Sequence, residues 1–113
     1  MGYYPEPMQA LRHPSSARPA TASAGASPPA LSVIIPTRNE ARHIADSVGG
    51  LRWAAEAGRV EVIVVDNASG DGTPDLARAA GARVFAQGPE RSAQRNRGAR
   101  EAGGEYVLFL DAD

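Results

Sequence analysis

Asp111 and Asp113, two carboxylates spaced i, i+2, close the run Tyr106-Val107-Leu108-Phe109-Leu110. A run so apolar and so rich in β-formers reads as a strand buried on both faces. If strand geometry persists through Asp113, both carboxylates point the same way. Buried without partners, such groups must shift their pKa values or find a counter-ion. A hard divalent cation, Mg2+ or Mn2+, is the natural one, with water and phosphate oxygens completing its shell. A strand ending in solvent is the ordinary alternative, and a bare D-x-D does not choose between them.

Three further polar clusters follow other strand-like or turn-like stretches. Thr37-Arg38-Asn39-Glu40 comes directly after Leu31-Ser32-Val33-Ile34-Ile35-Pro36. Its T-x-x-E spacing is that of a helix capping box; equally, its N–H groups and side chains could hold a base or phosphate. Asp66 ends the run Val60–Val65 and opens the turn-rich loop that runs to Thr73. Asp71-Gly72 suits the turn itself, whereas Asp66 at a buried strand tip is placed to accept hydrogen bonds from a ribose or base. After the turn at Gly88, Arg91 stands at a helix entrance, where its planar fork of donors suits a diphosphate. On that helix Ala93, Asn96 and Ala99 share a stripe, which turns Asn96 toward the sheet and demands a partner for its amide. Arg95, Arg97 and Arg100 read as a solvated face. His43, three residues before Asp46, reads as surface hydrogen bonding, and Trp53 as packing.

The elements that must position these clusters alternate. Strands are expected at 31–35, 60–65, 82–87 and 106–110. The first helix carries an apolar stripe at Ala41, Ile44, Ala45, Val48 and Leu51, weakened at Gly49-Gly50 and stopped at Gly58. The second starts at Thr73 as N-cap, with Pro74 and Asp75 in its first turn, and closes at Gly81. The third spans Pro89 to Gly103. Four strands and three helices in strict alternation predict an α/β, Rossmann-like parallel sheet with helices on both faces. Ligands of such sheets sit outside the carboxyl ends of the strands, and all four polar clusters fall on that rim. No G-x-G-x-x-G follows the first strand, which argues against a nicotinamide dinucleotide domain.

Residues 1–30 hold six of the nine prolines with Ala and Ser and no period, so a disordered tail is expected before a domain at 31–113. The formal charge of −1, with twelve arginines and no lysine, gives no basic excess for nucleic acid. The absence of cysteine excludes disulfides and thiolate metal sites. No apolar run reaches the length of a membrane span. A chain that stops on such a strand tip reads as cut within a domain, with an exposed sheet edge and a small core.

Four segments then carry a resemblance: Ser32–Glu40, Val64–Thr73, Ser92–Ala99 and Gly104–Asp113. In order and spacing they resemble the family 2 glycosyltransferases of GT-A fold. The resemblance implies an inverting, metal-dependent transfer of a sugar from a UDP- or GDP-linked donor to an acceptor hydroxyl. It implies that Pro36, Thr37 and Glu40 line the nucleotide pocket and that Asp66 and Asn67 meet base or ribose. Arg91 would lie near the base or phosphates, Asp111 would face ribose and metal, and Asp113 would coordinate Mg2+ or Mn2+. Many members carry a second aspartate where Asn67 stands, which leaves the base open. The acceptor, whether lipid, polysaccharide or small molecule, is also open. The expected compartment is the cytoplasm, with membrane association through a further C-terminal part left open. The family's catalytic base and acceptor site lie beyond Asp113, so these residues are expected to supply a donor and metal site without a catalytic residue. Two rivals remain: a haloacid-dehalogenase-like phosphatase beginning at Asp111-Asp113, and a non-catalytic nucleotide-binding remnant.

Overall fold

The structure, a computed structural model, describes residues 9–12 and 28–112. Its strands are β1 (Gln9–Arg12), β2 (Leu31–Thr37), β3 (Val60–Asp66), β4 (Arg83–Ala86) and β5 (Tyr106–Phe109). Its helices are α1 (Ile44–Gly49), α2 (Arg52–Glu56), α3 (Thr73–Ala80) and α4 (Arg91–Glu101).

The apolar runs of β2 and β3 are unbroken, yet the strand period of two still sorts their side chains between two cores. Val33, Ile35, Val62 and Val64 pack with Ile44 and Val48 of α1, Ala77 of α3 and Ala112. Ile34, Ile63 and Val65 pack on the other side with Val107, Ala102 and, from α4, Ala99. Val33, Ile34, Ile35, Ile63, Val64 and Val65 are fully buried. At about 1.5–3 kcal/mol for each such side chain, they are the main source of cohesion. Helices therefore cover both faces, as the alternation predicts.

The sheet order is β1-β5-β2-β3-β4. β5, β2, β3 and β4 are mutually parallel, which is the expected four-stranded arrangement, and β1 adds an antiparallel strand on β5. That fifth strand lies inside the segment expected to be disordered; residues 1–8 and 13–27 of that segment lie outside the described residues. Its cause is the edge of β5, whose backbone groups need partners. The expected exposed edge on that side is thus covered.

The pairing registers open the rim unevenly. β2 pairs with β3 over its whole length, to Thr37↔Asp66, but with β5 only to Ile34↔Phe109. A last bond runs from the Leu110 N–H to the Ile34 carbonyl at 3.0 Å. Continued, that register would set Pro36 against Asp111, and proline has no N–H to donate. Past that bond no pairing between β2 and β5 is described, and the space between the two tips is the candidate crevice. At the opposite end of the sheet, the Ser32 hydroxyl donates to Glu61 Oε2 at 2.5 Å and accepts the Gly104 N–H at 2.9 Å. This ties β2 to both its sides.

Several local expectations change. The first helix is two short ones, because Gly49-Gly50 breaks it; Ala45 is exposed and Ala41 precedes the helix. Trp53, expected in packing, is 74% exposed. Gly72, at φ 88°, is the residue that caps α3, and Thr73 is its first residue. α4 does not turn the expected stripe inward: Gln94 and Gly98 are buried and Asn96, on the far side of the helix from them, is exposed.

Candidate functional site

The crevice is lined from β2, β3, the start of α4 and the segment after β5. Thr37 and Asp66, the last residues of their strands, are both buried. Asp66 Oδ1 accepts the Thr37 and Ser69 hydroxyls, each at 2.6 Å, and Oδ2 accepts the Ser69 N–H at 2.9 Å. Three of roughly four acceptor positions on this carboxyl, only 4% exposed, are filled by hydrogen bonds among the described residues. The Thr37 hydroxyl therefore does not cap a helix. α1 begins at Ile44 with His43 as N-cap and no side-chain cap, so the capping-box reading of Thr37 and Glu40 is replaced by a tie between strand tips. A buried carboxylate has the greater need of a donor.

The loops after β2 and β3 are joined to each other. The Asn39 N–H donates to Ser69 Oγ at 2.7 Å, and Asn39 Oδ1 accepts the Gly70 N–H at 2.9 Å. Glu40 contributes its N–H to Thr73 Oγ1 at 3.0 Å, and Ala41 its N–H to Asp71 Oδ2 at 3.1 Å. Asn39 (φ 54°) and Ala68 (φ 49°) lie in the left-handed region. An asparagine tolerates that conformation; Ala68 is held there between Asn67 and the doubly bonded Ser69. Asp71 fills the role expected of a turn residue. The Thr73 hydroxyl, then the Ala41 and Thr73 N–H groups, hold its carboxyl below the usual aspartate range.

Pro36 is buried inside β2, where its effect is on strand divergence. Asn67 donates its N–H to the Thr37 carbonyl and its side-chain amide to the Pro89 carbonyl, both at 2.9 Å, so it joins the β3 tip to the turn before α4. Arg91 and Asp111, apart in sequence, meet: Arg91 Nη1 lies 2.5 Å from Asp111 Oδ1. The Ser47 hydroxyl on α1 donates to the Ala112 carbonyl at 3.0 Å, and Ala112 is buried in the core. Ala112 is thus packed inward, while its neighbour Asp111 is partly exposed and paired with Arg91. Asp113, the other expected ligand, lies outside the described residues.

One residue of the site was missed in the sequence. The Gln94 amide, 4% exposed, donates to the carbonyls of Thr37 at 2.9 Å and Val65 at 2.8 Å, bridging the tips of β2 and β3. Its signal was Gly98, one turn on: a Cβ there would lie 2.4 Å from Ile34 Cγ2, so α4 must present that face to the sheet. Arg97 departs from the solvated face; it lies 5.0 Å from the Phe85 ring centre and pairs with Glu101 at 3.0 Å.

Among the described residues, no three His, Cys, Asp or Glu side chains gather as a ready cation cage. The donor set at Asp111 fits a different type of site, in which one or two carboxylates share Mg2+ or Mn2+ with water and substrate phosphates.

Known proteins resemble this chain in sequence and in fold. The family model for glycosyl transferase family 2 matches residues 32–113. Glycosyltransferase AglJ of Haloferax volcanii is 41% identical over 88 residues, covering 76% of this chain and 28% of the relative. Glucosyl-3-phosphoglycerate synthase of Mycobacterium tuberculosis, in complex with Mn2+, UDP and phosphoglyceric acid, superposes with TM-score 0.68 and 28% identity. That match covers 75% of this chain and 33% of the synthase. Mannosyl-3-phosphoglycerate synthase of Rubrobacter xylanophilus gives TM-score 0.66 and 26% identity, covering 74% and 30%. The chain thus spans about a third or less of the length of each.

Proposed function

The chain belongs to glycosyl transferase family 2, and from that premise we propose that it forms the donor site of a metal-dependent, inverting glycosyl transfer. The donor is a UDP- or GDP-linked sugar. In the reaction an acceptor oxygen bonds to the anomeric carbon as the bond from that carbon to the diphosphate breaks. The electron pair leaves with the nucleoside diphosphate, and the acceptor proton passes to a base.

The observation that carries this reading is a rim with two side-chain pairs, Thr37 with Asp66 at the tips of β2 and β3 and Arg91 with Asp111 between α4 and the segment after β5, where the pairing of β2 with β5 stops. Asp66 accepts from the ribose or base with its remaining position. Asn67, with an amide in place of a charge, borders the base. Thr37 sets the Asp66 carboxylate, while Pro36 opens the crevice. Glu40 stands in the loop after β2, its N–H already committed to Thr73. Arg91 offers planar donors to the diphosphate. Asp111, with Asp113, would hold Mg2+ or Mn2+, whose chemistry is to neutralise charge developing on the leaving diphosphate. A phosphatase reading places its D-x-D after the first strand of the domain, whereas here that motif follows β5.

The acceptor is a lipid, a polysaccharide or a small molecule. Among the described residues no helix is long and apolar enough to cross a membrane.

The test is an amide NMR titration of the 15N-labelled chain with UDP or GDP in the presence of Mn2+. Broadening centred on Asp111 and Ala112, with shifts at Asp66–Ser69, is the expected result, and the better nucleotide names the donor class. No response to either nucleotide at millimolar concentration refutes the proposal.

A further inference from the structure

Resting on that donor-site reading, we propose that Arg91 is a specificity residue that makes cation binding at Asp111 conditional on a bound diphosphate. Asp111 is only 25% exposed at its side chain, and the Arg91 guanidinium occupies its Oδ1 at 2.5 Å. The carboxylate that the cation needs already has a cation on it.

Partner counting separates the two ways in which a metal can arrive. Free Mn2+ or Mg2+ must displace the guanidinium, and Arg91 is then left without its acid beside a dication. The like charges repel. A cation arriving with a diphosphate brings the missing acceptors. Arg91 passes from one carboxylate oxygen to phosphate oxygens, which suit its planar fork, and Asp111 passes from guanidinium to metal. Every charge keeps an opposite partner.

The geometry allows this exchange. Arg91 is the first residue of α4, and its side chain is 50% exposed, so it can swing without moving the helix. Asp111 stays put, because the adjacent Ala112 is packed in the core and held by Ser47. The mobile member of the pair is the arginine.

The experiment measures Mn2+ binding to the 113-residue chain from the EPR signal of free Mn2+, with and without UDP. Wild type is compared with Arg91→Ala, Arg91→Gln and Asp111→Asn, and circular dichroism melts check that each is folded. Loss of a partly exposed competitor should tighten nucleotide-free Mn2+ binding about two- to five-fold in both Arg91 variants. The same variants should bind Mn2+ with UDP several-fold more weakly than wild type. Unchanged or weaker nucleotide-free binding in both folded variants overturns the proposal. Wild-type Mn2+ binding by Asp111→Asn in the presence of UDP instead refutes the placement of the metal, and with it the donor-site reading.

Discussion

Replacing Gln94 with alanine tests whether the strand tips are held by that one buried amide. The side chain donates two hydrogen bonds, to the carbonyls of Thr37 and Val65. Each is worth about 0.5–1.5 kcal/mol net. The Thr37 carbonyl keeps the Asn67 N–H, so its desolvation is partly met, while the Val65 carbonyl loses the amide. One buried methylene adds about 0.8 kcal/mol. The expected loss is about 2–3 kcal/mol, which for a domain of this size lowers Tm by roughly 10–20 °C. Thermal and urea unfolding followed by circular dichroism measure it. Gln94→Glu should be worse than alanine at neutral pH, because a carboxylate faces two carbonyls and can donate to neither. Its pKa would be raised in the folded state, so stability should return as pH falls toward the ordinary glutamate range and be lost again as pH rises. Asn96→Ala on the exposed face of the same helix should change stability by less than about 0.5 kcal/mol. A Gln94→Ala chain as stable as the Asn96→Ala chain would refute the bridge.

Gly104→Ala would place a Cβ 2.8 Å from the Ser32 backbone nitrogen, where nothing can give, so expression in the insoluble fraction or a loss above about 3 kcal/mol by urea titration is expected. Thr37→Val removes a buried donor to the Asp66 carboxylate and should cost about 1.5–3 kcal/mol in the same assay, with weaker nucleotide binding by calorimetry. Asp71 has a folded pKa below its unfolded one, so its contribution is present above about pH 4 and is lost as pH falls through the folded value. Asp71→Asn should accordingly flatten the acid limb of a stability-against-pH curve, and an unchanged limb would exclude this group.

The parallel sheet was legible because an unbroken β-branched run states burial on both faces whatever its partners are, and the rim followed from strand direction alone. α4 was read with the wrong face inward: the buried Gln94 and Gly98 each lie two residues from Asn96, about 200° around the helix. Its alanines suggested the packed face, but the close approach is made by Gly98 against Ile34, a contact in which the absence of a side chain is the signal. Thr37 was ambiguous because a capping hydroxyl and a carboxylate-bonding hydroxyl are the same residue; only the distance to Asp66 separates them. Arg91 was seen as a phosphate ligand, while its pairing with Asp111 depends on where β5 ends. β1 was not read, because Gln9–Arg12 carries no strand period and its pairing with β5 lies far away in sequence.

The Ser32 hydroxyl joins partners that become available at different stages of chain assembly. Its bond to Glu61 spans 29 residues and its bond to Gly104 spans 72. The added loop entropy is small, about 0.8 kcal/mol, yet the longer closure also requires α3, β4 and α4 to be threaded in place first. Thr37 and Asp66 therefore belong to the pair of strands that can meet early, and Arg91 and Asp111 to a segment that joins them later. A half-folded chain, or one still emerging from the ribosome, has one wall of the crevice and lacks the other. If the crevice is the donor site, nucleotide binding waits for β5 to dock beside β2.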